Sequence, residues 1–99
     1  MIATIVRYRV KPGREEENAD LVRAVYAELA VLAPPDYHYA TFQDGLSFTH
    51  VAFGDTPLPQ LAAFRRFQDG IEERCDEPPL VRRDPIGAYG PLSSARDGS

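Results

Sequence analysis

The stretch from Tyr37 to Phe53 constrains the fold most, because it reads as two strands joined at Asp44-Gly45 and carries large side chains on both faces. Asp-Gly between two alternating runs is a strong hairpin signal, and a two-residue loop fixes which residues stand opposite each other. Centred on Asp44-Gly45, the register between Tyr37–Gln43 and Leu46–Phe53 puts Tyr39 opposite His50, Thr41 opposite Phe48 and Tyr37 opposite Ala52. Ala40 and His38 then oppose Thr49 and Val51 on the other face, beside Phe42 and Phe53. Neither face is polar, so both need cover.

Around this hairpin the chain punctuates itself clearly. Ile2 to Val10 is rich in β-branched residues and reads as a strand, closed by the turn signal Lys11-Pro12-Gly13. A helix follows, with Glu15, Glu16 and Glu17 at its positive end and Val22, Val25, Tyr26 and Leu29 at helical spacing, until Pro34-Pro35 stops it. After the hairpin, Thr56 can cap a second helix starting near Pro57, with Leu61, Phe64, Phe67, Ile71 and Cys75 as its apolar stripe and Pro78-Pro79 as its end. Leu80 to Tyr89 reads as a last strand, interrupted at Pro85, and Pro91 to Ser99 as a flexible tail. Residues 1–90 thus form one α+β domain, with 91–99 outside it.

Strand, helix, strand, strand, helix, strand is the ferredoxin-like βαββαβ order. It predicts a four-stranded antiparallel sheet with both helices on one face, leaving the other face bare. The first strand, alternating Ile2, Thr4, Val6, Tyr8, Val10 against Ala3, Ile5, Arg7, Arg9, has no wholly polar side either. A second copy packed sheet to sheet is the economical cover, so a homodimer is expected.

Composition narrows the partners. A net charge of -4 argues against nucleic acid and anionic membrane surfaces, which draw on basic patches. No Lys/Arg-Gly-aromatic strand motif supports RNA binding. Arg65-Arg66 and Arg82-Arg83 read as solvated pairs. Cys75 is the single cysteine, so no internal disulfide can form; a cytoplasmic setting without export signal or membrane anchor is expected.

The segments Val6-Arg7-Tyr8-Arg9-Val10-Lys11-Pro12-Gly13, Tyr39-Ala40-Thr41-Phe42, Phe48-Thr49-His50-Val51 and Phe64-Arg65-Arg66-Phe67-Gln68 resemble the antibiotic biosynthesis monooxygenase group of dimeric α/β-barrel proteins. The resemblance runs to Tyr89 and implies two ferredoxin-like protomers closing into one barrel, with a small-molecule cavity in the lumen or between sheet and helices. It implies a cofactor-independent, monooxygenase-like activity on a small aromatic or polyketide-like molecule; the alternative is a non-catalytic dimeric binding or structural domain. Cofactor-independent oxygenases and haem-degrading members of this superfamily carry asparagine and tryptophan in the cavity beside histidine or tyrosine. This chain has no Trp, and its single Asn, Asn18, falls in a polar helix segment and is placed away from the cavity.

The residues themselves single out His50 as the general base, with Tyr39 orienting it. Tyr37, Thr41, Phe48, Phe64 and Phe67 are the expected substrate-contacting walls, and Arg7 an anion contact or an interface ion pair. The small groups Ala40, Ser47, Thr49 and Val51 suggest that helices approach that face, which leaves the Tyr39/His50 face to the cavity. A hydrogen-bonded packing role for His50 stands beside the catalytic one. His38 lies on the opposite face by strand parity and no third ligand is spaced for a metal, so neither metal nor other cofactor is expected.

Overall fold

The computed structural model describes residues 3–77 and 79–83. The elements are β1 (Ala3–Arg9), α1 (Glu15–Leu32), β2 (His38–Asp44), β3 (Ser47–Phe53), a 3-10 turn (Leu58–Gln60), α2 (Ala62–Asp69), α3 (Ile71–Arg74) and β4 (Leu80–Arg83). They build one antiparallel four-stranded sheet in the order β2-β3-β1-β4, the ferredoxin-like arrangement. Ile2, the last strand beyond Arg83 and the 91–99 tail lie outside the described residues.

Each boundary has a local cause. Lys11 accepts from the Arg14 N–H across the Pro12-Gly13 turn, where Gly13 has φ +90. The three glutamates of the first turn of α1 meet its dipole, and Arg14 forks onto Glu17 at 2.7 and 2.9 Å. Ala33, in the left-handed region at φ 47, closes α1 just before the two prolines.

The hairpin pairs Asp44 with Ser47, so the loop is Gly45-Leu46 rather than Asp44-Gly45. Gly45 takes φ +61 at the first loop position, as a Gly-X turn requires. The register is therefore displaced by two from the expected one: Thr41 faces His50, and Tyr39 faces Ala52. A shift of two preserves side-chain parity, so every hairpin residue stays on its expected face.

The second helix differs from the single run expected. Thr56 does accept from the Leu58 N–H at 3.1 Å, but it heads the 3-10 turn, and α2 begins only at Ala62. There Glu28, reaching over from α1, accepts from the Ala63 N–H at 3.1 Å. A break at Gly70 separates α2 from α3, and Cys75 leaves the helix altogether to bridge Val10 in extended conformation, still buried.

Both helices pack on the Tyr39/His50 face, which corrects the expectation that they approach the small residues of the other face. Val22 and Val25 of α1 and Phe67 of α2 join Tyr8, Val10 and Phe48 in one buried cluster. Bulky helix stripes need a broad apolar surface to lie on, and the aromatic face provides it. The opposite face is open: Ile5 is 41%, Phe42 62% and Leu80 55% exposed, with Val51 and Ala40 beside Ile5 in register.

Candidate functional site

His50 sits at the middle of β3, 5% exposed, with Val6 of β1 opposite on one side and Thr41 of β2 on the other. Its ring reaches diagonally to a tyrosine on each neighbouring strand. The Tyr8 hydroxyl lies 2.8 Å from Nε2, and the Tyr39 hydroxyl lies 2.6 Å from Nδ1, which also has Thr41 Oγ1 at 3.1 Å. The sequence pairing of His50 with Tyr39 therefore holds as a contact, although the two are not directly opposed.

The hydrogen bonds continue in both directions. On the Thr41 side, Oγ1 meets the Tyr26 hydroxyl of α1 at 2.9 Å. On the Tyr8 side, Asn18 Nδ2 donates to the phenol oxygen at 2.8 Å, and Arg74 Nε donates to Asn18 Oδ1 at 3.1 Å. Asn18 is fully buried, although the helix segment around it is polar. It occupies the apolar stripe four residues before Val22 and seven before Val25, and that spacing outweighs the charged residues flanking it in sequence. Arg74, 2% exposed, also donates from Nη2 to the Phe67 carbonyl at 2.7 Å and lies over the Phe67 ring at 5.3 Å.

Aromatic rings enclose the polar line. Tyr8 stacks on Phe48 at 5.5 Å, Tyr39 lies between Tyr26 at 5.2 Å and Tyr37 at 6.0 Å, and Phe67 tilts against His50 at 5.6 Å with Phe64 behind it at 6.0 Å. Of the residues singled out from sequence, Tyr37, Tyr39, Thr41, Phe48, His50, Phe64 and Phe67 thus come together. Arg7 does not: it stands on the open face, between Thr49 and Leu80. Tyr8, Asn18, Tyr26 and Arg74, which the sequence does not single out as site residues, complete the cluster.

Burial sets the protonation states. Desolvation lowers His50 from 6.5 to about 4, so its ring is neutral near pH 7. The same effect raises Tyr8 and Tyr39 well above the ordinary phenol value, which keeps both hydroxyls protonated. Cys75 is likewise pushed up by burial, so its thiol is a packing group rather than a nucleophile. The cluster is thus a line of hydrogen bonds between uncharged rings, hydroxyls and an amide, ending at the Arg74 guanidinium and enclosed by aromatic side chains.

A surface groove of about 480 Å³ is lined by Arg65, Gln68, Asp69, Ile71 and Glu72, none of which belongs to this cluster. Among the described residues no group of three or more His, Cys, Asp and Glu is placed to hold a metal, and no helix is long and apolar enough to cross a membrane.

Solved structures share this architecture. The “Putative antibiotic biosynthesis monooxygenase from Nitrosomonas europaea” superposes with a TM-score of 0.72 at 18% identity, over 90% of this chain and all of that one. The chain has the fold of the antibiotic biosynthesis monooxygenase-like proteins. A second solved antibiotic biosynthesis monooxygenase matches at TM-score 0.69 and 15% identity, over 89% of this chain and 100% of its own. A Mycobacterium tuberculosis protein matches at 0.72 and 13%, over 90% and 98%. No family model matches the sequence, and no curated protein matches it. At these identities the likeness is one of fold, and the chemistry has to be argued from the cluster itself.

Proposed function

We propose that the chain is a monooxygenase-like protein that takes a small aromatic or polyketide-like molecule against the His50 cluster and handles its proton without a metal or nucleotide cofactor. The observation that carries this reading is the unbroken line from Arg74 through Asn18, Tyr8 and His50 to Tyr39 and Thr41, centred on a histidine held neutral. Phe48, Phe64, Phe67, Tyr37 and Thr41 supply walls and hydrogen-bonding tips of the kind small-ligand sites use.

The magnitudes choose between two ways of moving the proton. Full transfer from a phenol of pKa about 10 to an imidazole of pKa about 4 is uphill by six units, about 8 kcal/mol. A relay costs less, because Nε2 takes the Tyr8 proton while Nδ1 passes its own to the Tyr39 oxygen and Tyr39 releases its hydroxyl proton to solvent. The bound phenol reprotonates Tyr8, so that ring and tyrosines are neutral before and after and only the bound phenol has lost a proton. His50 then acts with Tyr39 as a pair rather than as a free base.

The test is oxygen uptake across a panel of hydroxylated aromatics, with thermal shift as the binding readout. His50→Gln should lower uptake by about 10²-fold or more, the span expected for loss of acid–base catalysis, while leaving the assembly unchanged. Equal uptake by parent and variant would sink the reading. A non-catalytic binding or structural role is favoured by a different observation, that no buried polar side-chain atom among the described residues lacks a hydrogen-bond partner. A compound that raises the melting temperature without oxygen uptake supports the binding role, and a panel in which none does supports the structural one.

The proposed working unit is a homodimer joined through the open sheet face, where exposed Ile5, Phe42 and Leu80 adjoin Val51 and Ala40. Arg7 and Arg9 on that face would then lie at the interface rather than against a substrate. A reducing cytoplasm suits the single buried thiol of Cys75.

A further inference from the structure

We propose that Arg74 is a positioning residue that sets the direction of the whole hydrogen-bond line, fixing His50 as the tautomer protonated on Nδ1. The inference concerns the resting cluster and deepens the proton-handling role argued above, on which its functional meaning rests.

One group in the line has no freedom of direction. A guanidinium donates and never accepts, so the Asn18 atom facing Arg74 Nε at 3.1 Å must be the carbonyl oxygen. The amide nitrogen is thereby turned toward Tyr8, 2.8 Å away, and the phenol oxygen has to accept. With its oxygen accepting from Asn18, the Tyr8 hydroxyl has its own hydrogen to place, and His50 Nε2 stands 2.8 Å away as its acceptor. Nε2 is then unprotonated, so in the neutral ring Nδ1 carries the hydrogen and donates toward Tyr39 at 2.6 Å and Thr41 at 3.1 Å. Turning the Asn18 amide over would set its NH₂ against the guanidinium, donor against donor.

The surroundings hold Arg74 to this task. Its Nη2 is anchored on the Phe67 carbonyl, and its plane lies over the Phe67 ring. Gly70, at the break between α2 and α3, makes the room: a Cβ there would stand 3.0 Å from Arg74 Nη1. The residues come from α3, α1, β1, β3 and β2, so one surface-distant helix end determines which nitrogen of a strand histidine bears a proton.

Long-range ¹H–¹⁵N correlation spectra of the ligand-free protein at pH 7 test this directly, since the chain has only two histidines and His50→Gln assigns the pair. The parent should show His50 Nδ1 as the protonated nitrogen and Nε2 as the acceptor. Asn18→Asp, which can accept from both Arg74 and Tyr8 but donates to neither, should exchange the two signals. Arg74→Met should give both tautomers, and Arg74→Lys, still a pure donor, should restore the parent pattern. A parent protonated on Nε2, or an Asn18→Asp spectrum identical to the parent's, overturns the inference; if Asn18→Asp does not fold, the parent and Arg74→Met spectra decide it, unchanged proportions in Arg74→Met counting against it. Because no substrate is involved, exchanged signals together with absent turnover would leave the tautomer assignment standing and remove the enzymatic reading.

Discussion

Lowering the pH from 7 to 5 should unfold this protein more easily because of His50, and the size of the effect follows from its burial. Its pKa is about 4 when folded against an ordinary 6.5. The sign is that of a base kept neutral by folding: above 6.5 both states are neutral and nothing is gained or lost. Between 6.5 and 4 the unfolded chain binds a proton that the folded chain refuses, so stability falls as pH falls. Integrated from pH 7 to pH 5, the loss is about 2 kcal/mol, and it approaches about 3 kcal/mol near pH 4. For a domain of this size the first figure corresponds to a fall in Tm on the order of 10 °C. Glu17, whose pKa is lowered by its hydrogen bonds to Arg14, loses its contribution only below the ordinary carboxylate value of 4.5, outside the window. Urea titrations at fixed protein concentration, at pH 7, 6 and 5, measure the slope, and His50→Gln supplies the control in which most of it should vanish. Parallel lines for parent and variant, or a parent that loses under about 0.5 kcal/mol across the window, would refute the argument that burial governs this histidine.

Four substitutions probe the rest of the structure. Phe48→Ala removes a ring that is 2% exposed and stacked on Tyr8, so a loss of about 3–5 kcal/mol is expected in chemical denaturation. Gly54→Ala places a Cβ against the Asp36 carbonyl at a backbone φ of +104, and should cost more than about 1 kcal/mol by the same assay, whereas Gly45→Ala, with open space around its Cβ site, should cost only the turn strain. Phe42→Glu puts a charge on an aromatic that is 62% exposed on the open face; if the proposed homodimer forms through this face, sedimentation velocity should show the variant as monomer with the far-UV spectrum unchanged, and a variant that dimerises like the parent would exclude this face as the interface.

The fold was legible because its determinants are local. Asp44-Gly45 and the paired prolines mark where elements end, and the order of periods two and 3.6 then admits few topologies. The register was not, because loops centred on Asp44-Gly45 and on Gly45-Leu46 are both two residues long and preserve parity. His50 kept Tyr39 as a partner only because an aromatic side chain spans the diagonal. The choice of face for the helices was also not local: it depends on comparing the apolar area of two faces that both carry aromatics, and small residues at Ala40, Thr49 and Val51 signalled an open face, not close helix packing.

The residues missing from the sequence-based site share one signature that composition concealed. Asn18 lies among Glu15, Glu16, Glu17 and Asp20, and Arg74 follows Glu72 and Glu73, so both read as surface charge by their neighbours. By phase they do not: Asn18 falls on the stripe of Val22 and Val25, and Arg74 on that of Phe67 and Ile71. Tyr8 likewise sits between Val6 and Val10 on the buried side of β1. A polar group on an apolar stripe is costly unless another stripe offers it a partner, and a sheet covered by helices is where such stripes meet. Each of α1, α3, β1 and β3 thus brings one polar group to the line, and no single segment of sequence could display the cluster that these groups satisfy only together.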